Sequence, residues 1–406
     1  MEDGVPLHPR LILGIESSCD ETSAAVLAEG RTVLSNIVAS QLVHADYGGV
    51  VPELASREHL RNIVPVVREA MRAAGVEDYR HLSAVAVTEG PGLAGALLVG
   101  ISFAKALAFA ADLPLIAVNH LEGHIQAVLL EAELRFADVS PLLAAVVSGG
   151  HSHLYLATRD EKGLWTYRNV GRTVDDAAGE AYDKVAKLLG LPYPGGPWMD
   201  ALAAHGNPEA VPFRFAQIKH KVRRTETPGT ASPASDVPVA PLTDAPRFDL
   251  SFSGIKTAVR RYTELHGMRD RVAEREAALR AASLATAKPS DPVALNRALQ
   301  LLDAQALDLI ASFQHAVTGH LTRTILAAAA HFGARAIAVS GGVAANRELR
   351  AKLGAAAGKL DLPLAFPSLS LSTDNAAMIA AAAWPKLLNG RFAGDALEAS
   401  PSLRLG

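Results

Sequence analysis

The chain has 406 residues, a formal net charge of −3, one cysteine, and 49% hydrophobic against 20% charged and 5% aromatic residues. That length asks for two or three packed units rather than one core. The negative balance excludes holding nucleic acid by overall charge, and the lone Cys19 excludes an internal disulfide and points to a reducing compartment. No N-terminal stretch has signal-peptide flanks and no apolar run reaches about 18 residues uninterrupted, so a cytoplasmic location with no membrane partner is expected.

Residues 1–9, "MEDGVPLHP", read as a flexible leader. "RLILGIESSCDETSAAVLAEGRTVLSNIVA" predicts three strands with a polar turn after the first, and "LSAVAVTEGPGLAGALLVGISFAKALAFAADL" a strand, a Gly-Pro-Gly turn and a long helix. "PLIAVNHLEGHIQAVLLEA" repeats strand then helix. The second half starts the same way: "PLLAAVVSGGHSHLYLATRDEKGLWTYRNVG" is strand, glycine turn, strand, turn, strand, and "ARAIAVSGGVAANRELRAKLGAAA" is strand, glycine turn, helix. This duplicated α/β layout is that of the two-lobed ASKHA fold (actin, Hsp70 and sugar kinases), with a ribonuclease H-like core in each lobe. The expected boundaries are 10–135 for lobe I, completed by a C-terminal helix at about 375–395, and 136–374 for lobe II. Two segments look inserted: a Pro/Ser/Thr/Ala-rich loop at 225–246, and a charged, Ala-rich surface helix running into a loop at 269–292. Residues 214–261 carry nine Lys/Arg against four Asp/Glu, either a solvated surface or an RNA-backbone contact through Lys219, Lys221, Arg223 and Arg224.

"NHLEGH" sets His120 and His124 one turn apart on one helix face, where both can grip one metal ion or simply be polar residues at a helix start. Glu122 stands about 200° round that helix. This is not the H-E-x-x-H arrangement of zinc peptidases, whose glutamate is the general base. Asp374 in "LSLSTDNAAMIAAAAW" is the best third ligand; capping the next helix is its other reading, but Ser372 and Thr373 can do that. Two histidines and a carboxylate with open positions suit Fe(II) or Zn(II) better than Mg(II). The turns "VSGGHSH" and "VSGGVAANREL" are either tight turns or cradles whose backbone amides approach an anion. Asn346 either binds a purine or caps the helix it opens.

Asp175, Asp176, Glu180 and Asp183 crowd four carboxylates together, their repulsion offset by a ribose diol or by solvent. Glu16, Asp20 and Glu21 occupy the first hairpin tip, where kinases and ATPases of this layout place an acid for metal or water. No basic residue near Cys19 in sequence would lower its pKa, which argues against a cysteine nucleophile.

In order, "GIESSCDET", "HADYGGVVPELASREH", "TEGPGLAGALLVG", "NHLEGH", "VSGGH", "DDAAGEAYDKVAKLLGLPYPGGP", "FDLSFSGIKTAV", "SGGVAANRELR" and "STDNAAMIA" resemble the TsaD/Kae/Gcp family over most of residues 11–385. The resemblance fails in the leader and the two inserted segments. It implies an acyltransferase that moves the threonylcarbamoyl group from threonylcarbamoyl-AMP to N6 of the adenosine just 3′ of the anticodon, in tRNAs reading codons that begin with A, releasing AMP. It further implies one divalent metal ion, iron (Fe2+) with zinc (Zn2+) as the alternative, held by His120, His124 and Asp374. The turn Val147, Ser148, Gly149, Gly150 and His151 would bind the acyl-adenylate, Asp183 and Gly196 its ribose end, and Asn346 its adenine. Implied partners are tRNA, a non-catalytic paralogue of the TsaB type and an ATPase of the TsaE type. Ser152 stands where the family more often has threonine and keeps the hydroxyl. The amine must lose a proton, and Asp20 or Glu21 is the hypothetical acceptor. Rival readings are a metallopeptidase, which needs a carboxylate base beside the metal, a small-molecule kinase, which leaves the histidine pair unexplained, and an idle paralogue, which would lack the three ligands.

Overall fold

A computed structural model describes residues 9–136, 139–215, 246–281 and 287–406. The leader, nearly all of the 225–246 segment, Lys219, Lys221, Arg223, Arg224 and the stretch just after residue 281 lie outside the described residues. In the first half, β1 (Leu11–Glu16), β2 (Glu21–Ala28) and β3 (Thr32–Ser40) lead to α1 (Pro52–Ala73). There follow β4 (Ala84–Gly90), α2 (Ala94–Ala111), β5 (Leu115–Asn119) and α3 (His120–Phe136). The second half opens with β6 (Leu142–Val147), β7 (Ser152–Arg159), β8 (Trp165–Arg172), α4 (Ala178–Leu188) and α5 (Gly195–Ala203). Then come α6 (Ser253–Leu265), α7 (Arg269–Ala281), α8 (Pro292–Gln300) and α9 (Ala304–His331). It ends with β9 (Ala336–Ser340), α10 (Arg347–Lys359), β10 (Leu364–Ala365), α11 (Leu369–Ser372) and α12 (Ala376–Leu388).

Both sheets are five-stranded, ordered β3-β2-β1-β4-β5 and, read from the other edge, β8-β7-β6-β9-β10. In each, a three-stranded antiparallel meander is joined through its first strand to two parallel strands. The duplication read from the sequence is therefore real: the molecule has the two-lobed ASKHA fold with a ribonuclease H-like core in each half. The reason lies in the apolar runs. "LILGIE" and "LLAAVV" are buried at every position, as strands covered on both faces must be. Parallel strands send their following helices back across the sheet, so the carboxyl ends of β1, β4 and β5 share one edge, where open α/β sheets hold ligands.

Two long helices, α1 and α9, are absent from the sequence reading. Pro65 and interspersed charges disguise α1, whose buried stripe is Ala55, His59, Ile63, Val66, Val67, Ala70 and Met71. The 269–292 segment forms the expected surface helix, α7, most of whose described residues are exposed, but one of its charged side chains is not solvated. Arg275 is only 4% exposed, and its guanidinium donates to the Leu189 carbonyl at 2.8 Å and the Leu301 carbonyl at 3.3 Å, closing the ends of α4 and α8. Among the described residues one helix, α2, is long and apolar enough to cross a membrane by length and composition. It packs on β4 and α1, and Lys105 within it donates to the carbonyls of Asp395 and Leu397.

The contact that places the far end of the chain is β1 against α12. A Cβ on Gly14 would stand 2.3 Å from the Ala376 carbonyl oxygen, so only glycine lets α12 lie this close. The approach is reinforced by the Ala376 amide donating to Ser23 Oγ at 2.9 Å. Gly14→Ala is expected to cost about 1–3 kcal/mol through overpacking. Gly354→Ala, in α10 with no atom within 4 Å of the added carbon, should instead stabilise, by up to about 1 kcal/mol. Urea denaturation midpoints of the two variants check both signs.

Candidate functional site

The last residue of β5, Asn119, accepts the Leu121 amide at 2.9 Å through Oδ1, which starts α3 at His120 and commits His120 and His124 to its first two turns. Both are buried, at 3% and 0% exposure. Asp374 enters from the loop between α11 and α12. It does not cap α12, and neither do Ser372 or Thr373: Asn375 does so, accepting the Met378 amide at 3.1 Å. The Asp374 carboxylate is thereby free to face the imidazoles. Its Oδ1 lies 3.2 Å from His124 Nε2 and 3.7 Å from His120 Nε2, and one ligand atom from each of the three falls within 4.8 Å of the others.

The donor set suits a transition metal, with two imidazole nitrogens and one carboxylate on a buried wall. A second observation agrees. Both ring nitrogens of His124 are buried without a hydrogen-bond partner of acceptable geometry, a cost a protein rarely sustains without a further ligand. Glu122 points elsewhere, pairing with Lys386 of α12 at 2.9 Å, so the peptidase reading loses its base.

The charges around this wall are strongly coupled. Burial pushes His120 down, but Asp374 and Glu16 outweigh it and hold its pKa up at about 9. Burial raises Asp374, but His120 and His124 pull it far below the usual carboxylate range. Burial, then the neighbouring His120, drive His151 down to about 3, so it is a neutral imidazole at physiological pH. Its ring centroid is 6.0 Å from that of His120, which brings the β6–β7 tip of the second sheet against the α3 start of the first.

The two glycine turns meet. A Cβ on Gly341, at φ +89°, would lie 2.5 Å from the Val147 carbonyl oxygen, so the β9 turn presses on the strand leading to Ser148. The Ser148 amide donates to the His151 carbonyl at 2.7 Å, closing the tip, while Gly149 and Gly150 are exposed with nothing within 4 Å of an added Cβ. Ser152 Oγ accepts the Ala178 amide at 2.8 Å, so the hydroxyl at this position anchors α4. Asn346 caps α10, accepting the Leu349 amide at 2.9 Å, while its Nδ2 donates to Gln314 Oε1 at 2.7 Å.

The crowded carboxylates are offset mostly by neither of the two routes read from sequence. Asp175 accepts from the Ser251 and Ser253 hydroxyls and the Phe252 amide, capping α6. Asp176 pairs with Lys184 and Lys256, and Glu180 with Lys184. Among the described residues neither Asp175 nor Asp183 is paired with a cation. Burial lifts the Asp183 pKa to about 6 even though it accepts the Gly195 amide at 2.7 Å, and Asp20 is among the charges raising it.

Asp20 and Glu21 sit at the β1–β2 tip. Burial, then Asp20, holds the Glu21 proton well above the usual carboxylate range, and burial with Asp20 does the same to the Cys19 thiol, which leaves no nucleophilic thiolate there. The tip is pinned by His59 of α1, whose Nε2 donates to the Cys19 carbonyl at 2.9 Å while Nδ1 accepts from Thr22 Oγ1 at 2.8 Å. Sequence reasoning missed this histidine, which looks like one more polar residue on a charged helix, and it placed Glu16 only as one of three hairpin-tip acids for metal or water, not as a partner of His120. An acid closing the otherwise apolar "LILGIE" was the available sign of the latter.

With this geometry in place, comparison with known proteins is informative. The family model described as tRNA N6-adenosine threonylcarbamoyltransferase matches residues 32–381. The curated protein of that name from Koribacter versatilis (strain Ellin345) is 56% identical over 402 residues, covering 97% of this chain and 99% of its relative. The Symbiobacterium thermophilum protein of the same name is 47% identical over 403 residues, covering 98% of each. Among solved structures, full-length HypF in its phosphate- and nucleotide-bound form superposes with a TM-score of 0.50 at 11% identity, covering 95% of this chain and 47% of that one, a likeness of fold alone. The chain belongs to the TsaD family of tRNA N6-adenosine threonylcarbamoyltransferases, acyltransferases that modify tRNA.

Proposed function

We propose that the region where the carboxyl ends of the two sheets meet binds threonylcarbamoyl-AMP and presents it to the tRNA adenosine 3′ of the anticodon. The observation that carries this reading is the His120, His124 and Asp374 group beside the open Gly149–Gly150 tip. In the reaction, N6 attacks the carbamoyl carbon, the bond from that carbon to the phosphate oxygen breaks, AMP departs and N6 gives up a proton. The donor is a mixed anhydride with a good leaving group, so positioning and charge stabilisation suffice and no covalent nucleophile is required.

The Val147–His151 turn takes the phosphate and carbamoyl end, its two exposed glycines leaving room for close backbone approach. Asp183, anchored by the Gly195 and Gly196 amides, offers its carboxylate to a ribose hydroxyl. Asn346, held by its cap and by Gln314, retains one N–H for adenine. His120, His124 and Asp374 would hold a divalent ion, iron or zinc, which when bound supplies Lewis-acid polarisation of a substrate oxygen. Glu21 retains its own proton, so Asp20 beside it is the better acceptor for the proton of N6. The TsaB-type paralogue and the TsaE-type ATPase enter as partners, and the cytoplasm as the compartment, through the family resemblance.

Nucleoside analysis of tRNA from cells depleted of this protein tests the reading. The modified adenosine should disappear and return with the wild-type gene. His124→Ala should fail to restore it, and Asp20→Asn should restore less than Glu21→Gln. Full restoration by His124→Ala would refute the site.

The elevated His120 pKa gives a second test. Only the neutral imidazole is a ligand, so below about 9 an incoming ion must displace a proton. Apparent metal affinity should therefore rise with pH, by up to about tenfold per unit, and level off above that value. Titration of metal-free protein with Zn(II) against a chromophoric competitor at several pH values checks the slope; a flat profile contradicts it.

A further inference from the structure

Glu16 closes β1 on the same edge as His120, and nothing in the reaction above employs it. The residue is fully buried, and no Lys or Arg among the described residues pairs with it. Its Oε1 accepts the Ser18 amide at 2.5 Å. Its Oε2 accepts from Thr88 Oγ1 at 2.7 Å and lies 3.0 Å from His120 Nδ1. Ser18 Oγ approaches the same Nδ1 at 3.1 Å.

A carboxylate fixed from both sides in this way can only accept, so the ring nitrogen facing it is the one that carries hydrogen. Once the ring is neutral, as a metal ligand must be, the opposite nitrogen, Nε2, is the lone-pair nitrogen, and it is the one turned toward Asp374. His124 lacks any such support, because its Nδ1 has no partner. The two histidines are therefore unequal: one is clamped from behind in a single tautomer and orientation, the other has only Asp374 near its Nε2 and nothing behind its Nδ1.

We propose that Glu16 is the positioning residue for His120, setting its tautomer and aim and strengthening Nε2 as a donor. Thr88 and Ser18 hold Glu16 in place for this task. The proposal rests on the metal reading given above. Buried carboxylates behind ligating histidines act this way in metalloproteins generally, and removing one weakens binding by about 10–100-fold.

The test uses the full chain, metal-free and under anaerobic conditions, titrated with Co(II) as a visible probe and with Zn(II) against a chromophoric competitor. Wild-type protein should bind one Co(II) with d–d absorption. Glu16→Gln, similar in shape but without the charge, should melt near the wild-type temperature when metal-free, bind about 10–100-fold more weakly, and show displaced visible bands. Thr88→Val, which keeps the carboxylate and removes one of its anchors, should show a smaller loss in the same direction. Wild-type affinity and an unaltered spectrum in both variants would overturn the role of Glu16. Failure of the wild-type protein itself to bind either ion would instead overturn the metal reading, and the inference with it.

Discussion

An aspartate from near the end of the chain is held in a largely buried place against two histidines from its first third, and the rest of the site is organised around that contact. It requires three separate local solutions. Asn119 must start α3 immediately at His120, Asn375 must cap α12 so that Asp374 is spared that duty, and Gly14 must let α12 lie on β1. Each is a short-range matter of capping or steric room, and together they bring distant parts of the sequence close enough that one ligand atom from each falls within 4.8 Å of the others.

The electrostatic consequences follow from burial. Isolated charges in such a place would be costly, so each has a counterpart. His120 stands between Asp374 and Glu16, which hold its proton against the pull of desolvation, while His151, lowered first by burial and next by His120, gives its proton up. At the first hairpin tip burial, and then the neighbouring Asp20, raise the Glu21 pKa well above the usual carboxylate range. The second half of the molecule solves its crowded carboxylates differently, with lysines, a helix cap and, for Asp183, the Gly195 amide. An arrangement with surplus proton affinity on one ligand and unpartnered nitrogens on another is well matched to a divalent cation.

Much of the fold was legible because the apolar runs of β1, β4, β5, β6 and β9 are uninterrupted and all but β5, which runs directly into α3, are followed by a glycine or polar turn. The α1 and α9 helices were not, the first because Pro65 and its charges blur the helical stripe. The histidine pair was visible through i, i+4 spacing, and Asp374 through its place before an apolar helix. What spacing cannot convey is which carboxylates find lysines. Asp175, Asp176 and Glu180 read as acids offset by a ribose diol or by solvent, yet Ser251, Lys184 and Lys256 occupy them. Nor can it convey that His59 pins the hairpin tip across the gap from α1, since that contact exists only once β1 and α1 have packed.

The central claim is that these three side chains form one coordination sphere. X-ray absorption spectroscopy on the zinc-loaded full chain measures this directly. The account predicts two imidazole rings with nitrogen at about 2.0–2.1 Å and otherwise oxygen scatterers. A sulfur scatterer at about 2.3 Å, which could come from Cys19, or the absence of imidazole scattering would contradict it.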